Sequence, residues 1–129
     1  MFTLQQIHEA HNKVKSGADF PNYIQNLKQL GVLMYQTYVS DGHSDYHGEN
    51  NYTITSAAKY DNLTIASKPD SNTFKSQLLV HQQGKTDYLT FIKMCAETGI
   101  EKWEICFKKL TCTYFDKNNN SVLTENIPQ

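Results

Sequence analysis

The chain contains no arginine, and its lysines are scattered apart from the Lys108-Lys109 pair, which reads as a solvated turn. With a formal net charge of −1 and a pI near 6.5 it offers no electrostatic footprint for nucleic acid or an anionic membrane. It has no run of eighteen apolar residues, so no membrane-spanning helix is expected. The opening stretch, MFTLQQIHEAHNKVKSG, has no basic start followed by an apolar run, and no secretory signal is expected. Cysteine is scarce and unpaired in pattern. Cys95, Cys106 and Cys112 make an odd number without Cys-x-x-Cys spacing, as expected of free thiols in the reducing cytoplasm. In that compartment sequons such as those at Asn51 and Asn62 carry no sugar. Gly-rich phosphate loops, nucleophile elbows and zinc-protease helices are all missing. Neither a catalytic set nor a cofactor is expected.

What is present is a foldable globular chain. At 129 residues, with 39% hydrophobic, 12% aromatic and 19% charged residues, residues 1–129 fit a single domain. Folding at that size buries roughly two thirds of the extended-chain surface.

Leu4, Ile7, His11 and Val14 fall at helical spacing, and Ser16-Gly17 supplies a stop. Asp19 then caps a second helix with Phe20, Tyr23, Ile24, Leu27 and Leu30 on one stripe, closed by Gly31. From Val32 to Val39 the pattern is that of a strand, with Tyr35, Thr37 and Val39 on one face. Asp41-Gly42 turns the chain into a strand holding Tyr46, and Gly48 to Asn51 turns it again before YTIT.

The second half repeats that order. Phe74, Leu78 and His81 make a stripe ending at Gly84, and Asp87 caps a helix bearing Tyr88, Phe91, Ile92 and Cys95 that stops at Gly99. IEKWEICF and LTCTYF follow as strands, and DKNNN turns into SVLT. Asp19 and Asp87, Ile24 and Ile92, Gly31 and Gly99, Tyr46 and Tyr114, and Asn51 and Asn119 are all 68 positions apart. Gly17 and Gly84 match after a one-residue slip. An internal repeat of approximately 1–66 and 70–129 is expected. Each unit of about 65 residues is marginal for a core of its own. The prediction is therefore an α+β fold in which two pseudo-symmetric helix-helix-strand-strand(-strand) halves pack as one domain with an antiparallel sheet. The connecting stretch SAAKYDNLTIASKPDSN is the least regular, although LTIA could add a strand and Asp70 a cap.

In the second half a turn at Lys108-Lys109 pairs Phe107 with Leu110, Ile105 with Cys112 and Trp103 with Tyr114, all on one face. Two lysines fit a tight primed turn poorly, because its central residues take positive φ. The stretch GIEKWEICFKKLTCTYFDKNNNSVLTENIP, together with LGVLMYQTYVSDGHSDYHG, resembles the YbcV-like family of small bacterial and prophage proteins, often labelled phage envelope protein. The resemblance covers nearly the whole chain. It implies a compact α+β fold and supplies no catalytic residues.

His43, Asp45 and His47 alternate on one strand face, the residue types that zinc and related ions favour. His43 lies beside the Asp41-Gly42 turn, however, and exposed turn-flanking polar residues are the preferred reading, so no metal is expected. His8 and His11 lie three apart on one helix, but His11 also falls in the apolar stripe, where a packed histidine is expected. DKNNNSVLTENI begins like a calcium loop and fails at Ser121 and Ile127. Cys95 and Cys112 are expected inside and Cys106 at the surface. The aromatic residues are expected in the core and on the sheet, not under stacked bases.

These readings point to a non-enzymatic accessory or interaction protein. A protein partner or self-association is expected, with neither nucleic acid nor membrane. The alternative is a small-molecule-binding protein or enzyme using a cleft between the two half-domains. A pocket containing ionisable groups with shifted pKa values favours that alternative.

Overall fold

Eleven elements follow one another in the computed structural model, which describes residues 2–14 and 19–127. They are α1 (Leu4–His11), α2 (Phe20–Leu30), β1 (Met34–Tyr38), β2 (Ser44–His47), a short turn at Glu49–Asn51, β3 (Thr53–Thr55), α3 (Ser71–Gln82), α4 (Tyr88–Glu97), β4 (Lys102–Cys106), β5 (Thr111–Phe115) and β6 (Ser121–Asn126). The six strands form one antiparallel sheet in the order β3-β2-β1-β4-β5-β6. The fold is α+β, as the sequence predicts.

Local chemistry sets the helix ends. Thr3 and Gln6 form a reciprocal capping box at the start of α1. Asp70 and Asp87 accept from the Thr73 and Thr90 amides at the starts of α3 and α4. Helix α2 ends where the Gly31 and Val32 amides reach the Lys28 and Leu27 carbonyls. Helix α4 ends the same way, with Gly99 and Ile100 on Ala96 and Cys95, and both glycines are left-handed at φ +103° and +84°. Helix α1 stops at His11, short of Val14, and the Ser16-Gly17 stop lies outside the described residues.

The strands alternate as expected. Tyr35, Thr37, Ser44, Tyr46, Ile105, Cys112 and Tyr114 are buried, and their neighbours along the strands are less so. The helices lie over that buried face: Phe74 of α3 meets Tyr114 at 4.9 Å between ring centroids, and Phe91 of α4 meets Trp103 at 5.8 Å. Ile7, Ile24, Leu27, Phe74, Ile92 and Ile100 are at most 1% exposed and anchor the core between the layers. Each such side chain contributes about 1.5–3 kcal/mol by leaving water.

At the centre of the sheet β1 pairs with β4, and the Gln36 side-chain amide donates to the Glu104 carboxylate at 2.9 Å, across 68 positions of sequence. Tyr35 faces Tyr46 in the β1–β2 hairpin, and Trp103 faces Tyr114 in the β4–β5 hairpin. Asn51 and Asn119, which precede β3 and β6, are both left-handed at φ +62° and +65°. Ile105 with Cys112 and Trp103 with Tyr114 pair as predicted from the sequence, while Phe107 and Leu110 lie outside the ladder, where Leu110 takes the positive φ (+53°) that the two lysines would tolerate poorly. One expectation is corrected: residues 62–66, which include LTIA, form no strand. They belong to a strap, residues 56–70 between β3 and α3, whose Leu63 and Ala66 amides bind the Ser40 and Ala96 carbonyls singly, with no ladder to either neighbour.

His81 is packed, as its stripe suggests. It stacks on Phe91 at 4.2 Å, and its Nδ1 lies 2.8 Å from the Thr86 hydroxyl. Burial holds its pKa below the usual imidazole value, against the opposing influences of Thr86 and Asp87. The folded state thus favours neutral His81. Its contribution is complete above the unfolded value and is lost as pH falls through the lower folded one. Urea unfolding midpoints are expected to decline from about pH 7 to pH 5, and less so in His81→Gln. An unchanged slope in that variant would assign the decline elsewhere, with His11 the first group to examine because its value is lowered too.

Candidate functional site

His43, Asp45 and His47 alternate with the buried Ser44 and Tyr46 and so lie toward the open side of the sheet. The His43 amide and Nδ1 bind the Asp41 carboxylate, Nδ1 at 2.5 Å, and the ring stacks on Tyr38 at 4.4 Å. Asp45 accepts from the Thr55 hydroxyl, and His47 Nδ1 lies 3.1 Å from the Thr53 hydroxyl. Each of the three has its own local partner. Among the described residues no three His, Cys, Asp or Glu side chains gather as a metal ion requires. In the Asp116 loop one carboxylate oxygen accepts from the Asn118 and Asn120 amides, forming a hairpin turn. Cys95 and Cys112 are buried, which pushes the Cys112 thiol up to about 12 and the Cys95 thiol up as well; Cys106 is half-buried.

A different group converges on the helical side. Helix α1 presents two adjacent ridges, Ile7 with His11 and His8 with Asn12, each pair four residues apart. Together with Tyr46 from β2, Lys59 from the strap and Tyr88, the first residue of α4, they enclose a hollow of about 270 Å³. Ile7 and Tyr46 are buried at its floor, and His8, His11, Asn12 and Lys59 are exposed at its rim. The strap reaches this place because the Lys59 amide binds the Asp41 carbonyl and the Tyr60 hydroxyl donates to the Val39 carbonyl at 2.6 Å.

The electrostatics of the hollow are one-sided. Burial, then Lys59 and His8, lower the pKa of His11, whose ring also sits edge-on to Tyr23 at 5.5 Å. Burial lowers Lys59 as well. Tyr88 is 44% exposed as a residue, yet burial raises its hydroxyl, with Tyr60, Cys95 and Tyr46 adding to the effect. Burial raises the pKa of the Tyr46 hydroxyl, against the opposing influences of Ser44 and Tyr23.

His11 is therefore a rim residue that touches an aromatic ring, not a core histidine. Sequence reasoning singled out His8 and His11 and missed Lys59, Tyr46 and Tyr88 as their companions. Tyr88 was visible only as the start of an apolar stripe. Lys59 had no local signal, because the strap's path is set by backbone bonds to distant turns.

The chain matches the family described as "Protein of unknown function (DUF1398)" over residues 8–126 and belongs to that family. No curated protein matches it. The family carries no assigned function. No helix among the described residues is long and apolar enough to cross a membrane.

Proposed function

We propose that this member of the DUF1398 family is a small-molecule-binding protein whose site is the hollow between α1, the strap and the start of α4. The reading includes two copies of one helix-helix-strand-strand-strand unit folded as a single domain. Matching Gly31/Gly99 and Asn51/Asn119 conformations, matching hairpin registers and the central β1–β4 pair support it. The carrying observation is the hollow itself, which draws six lining residues from the first half and the strap and one, Tyr88, from the second. Three free cysteines support a reducing, cytoplasmic setting. The YbcV-like resemblance supports a bacterial or prophage origin.

The test is amide NMR on the full chain with benzyl alcohol, benzoate and benzylamine at millimolar concentration. At least one probe is expected to shift the amides of Ile7, His11, Tyr46 and Tyr88, and Asn12→Trp, which fills the rim, is expected to remove the shifts. Shifts confined to other surfaces, or none with any probe, would contradict the reading.

A second reading, self-association, is favoured by the exposed apolar side chains Leu79 and Leu89, at 56% and 54%. Sedimentation tests it: a dimer that Leu79→Lys with Leu89→Lys converts to monomer supports it, and a strict monomer at high concentration does not.

A further inference from the structure

We infer that the hollow takes a ligand with a small apolar or aromatic body and an anionic oxygen group, a carboxylate or a phosphate. The inference rests on reading the hollow as a binding site. The sign and placement of the groups around the hollow carry it. His8, His11 and Lys59 stand on the rim, and no Asp or Glu lines the hollow. The chain as a whole has 13 acidic residues against 12 lysines, so a lining with basic and no acidic side chains is a local arrangement, not a reflection of composition. Nor are these groups neutralised from outside. Among the described residues the only ion pair is His43 with Asp41, on another part of the molecule. Lys59 thus stands exposed at the rim with no ion pair to a described residue, open to a negatively charged ligand.

The remaining lining fits the rest of such a ligand. Ile7 offers apolar surface and Tyr46 a ring at the floor, while the Tyr88 ring forms a wall. The hydroxyls of Tyr46 and Tyr88, raised by burial, stay protonated and so remain donors that an oxyanion can accept from. A neutral imidazole at His8 or His11 still donates one N–H. A cationic ligand finds no acceptor charge here and meets Lys59.

The experiment measures affinities by amide-shift titration of the full chain at pH 7 and constant ionic strength, with benzoate, phenyl phosphate, benzyl alcohol and benzylamine. Benzoate or phenyl phosphate is expected to bind about tenfold more tightly than benzyl alcohol, with benzylamine the weakest. The tighter of the two anions identifies the group the site is built for. Lys59→Met is expected to bring the anions down to the benzyl alcohol level without changing benzyl alcohol itself. Lys59→Arg is expected to keep the anion preference, and the same spectra report whether each variant is folded. Benzyl alcohol or benzylamine binding in the hollow as tightly as the anions would overturn the inference and leave the binding site standing. So would an anion preference that survives Lys59→Met and His8→Gln. Absence of any shift in the hollow with all four probes would overturn both.

Discussion

Gly99→Ala is expected to destabilise the fold by about 3 kcal/mol, combining ~1–2 kcal/mol for a side chain forced into the left-handed region with ~1–3 kcal/mol of overpacking. Gly99 ends α4 at φ +84°, and a Cβ there would lie 2.7 Å from both the Lys68 carbonyl oxygen and the Pro69 Cα. These are backbone atoms of the strap, which the Asp70 amide ties to the Thr98 carbonyl and the Ala66 amide to Ala96, so they cannot swing aside as a flexible side chain would. Gly84 is the control. Its φ of +78° imposes the same conformational cost, but nothing lies within 4 Å of its would-be Cβ. Gly84→Ala is expected to cost about 1 kcal/mol. Urea unfolding of both variants checks the pair. Equal losses would mean that the strap's approach to α4 does not constrain Gly99.

Phe74→Ala is expected to cost more, about 3–5 kcal/mol, the range for deleting a buried aromatic ring. Phe74 is fully buried and meets Tyr114 edge-to-face at 4.9 Å and 63°. Helix α3 has few other anchors, since only Phe74 and Leu78 are buried along its 12 residues. Removing the ring thus opens a cavity and loosens the helix over β5. Phe115→Ala removes a ring from the same strand's opposite face, where Lys102 sits 5.3 Å from its centroid, and is expected to cost much less. Similar losses for the two would contradict the assignment of buried and open faces.

Much of this architecture is legible locally. Caps, stripes and turn residues are short-range devices, so Asp87, Gly31, Gly99 and Asp41-Gly42 mark their elements without reference to the rest of the chain. Alternation on strands also separates Tyr35, Tyr46 and Tyr114 from the open face. The strap is the opposite case. Its conformation is set by single hydrogen bonds to Asp41, Ser40, Ala96 and Thr98, each distant in sequence, so LTIA looks like a strand and is not one. The hollow was illegible for the same reason. Its basic side chains come from α1 and the strap and its aromatic wall from α4, and no local spacing joins them. His43, Asp45 and His47 misled in the other direction, because shared strand parity placed them on one face while each took a separate nearby partner.

The central proposal is that the two halves form one folding unit joined through β1 and β4. The lone tryptophan, Trp103, reports from the second half, and Ile24, at 1% exposure, lies in the core of the first. Ile24→Ala is expected to lower stability by about 2–5 kcal/mol. The decisive measurement is urea unfolding of that variant, followed at once by Trp103 fluorescence and far-ultraviolet circular dichroism. One coincident transition, shifted equally in both signals, is the predicted result. A Trp103 transition left where it stands in the unmodified protein, while the dichroism splits in two, would contradict it.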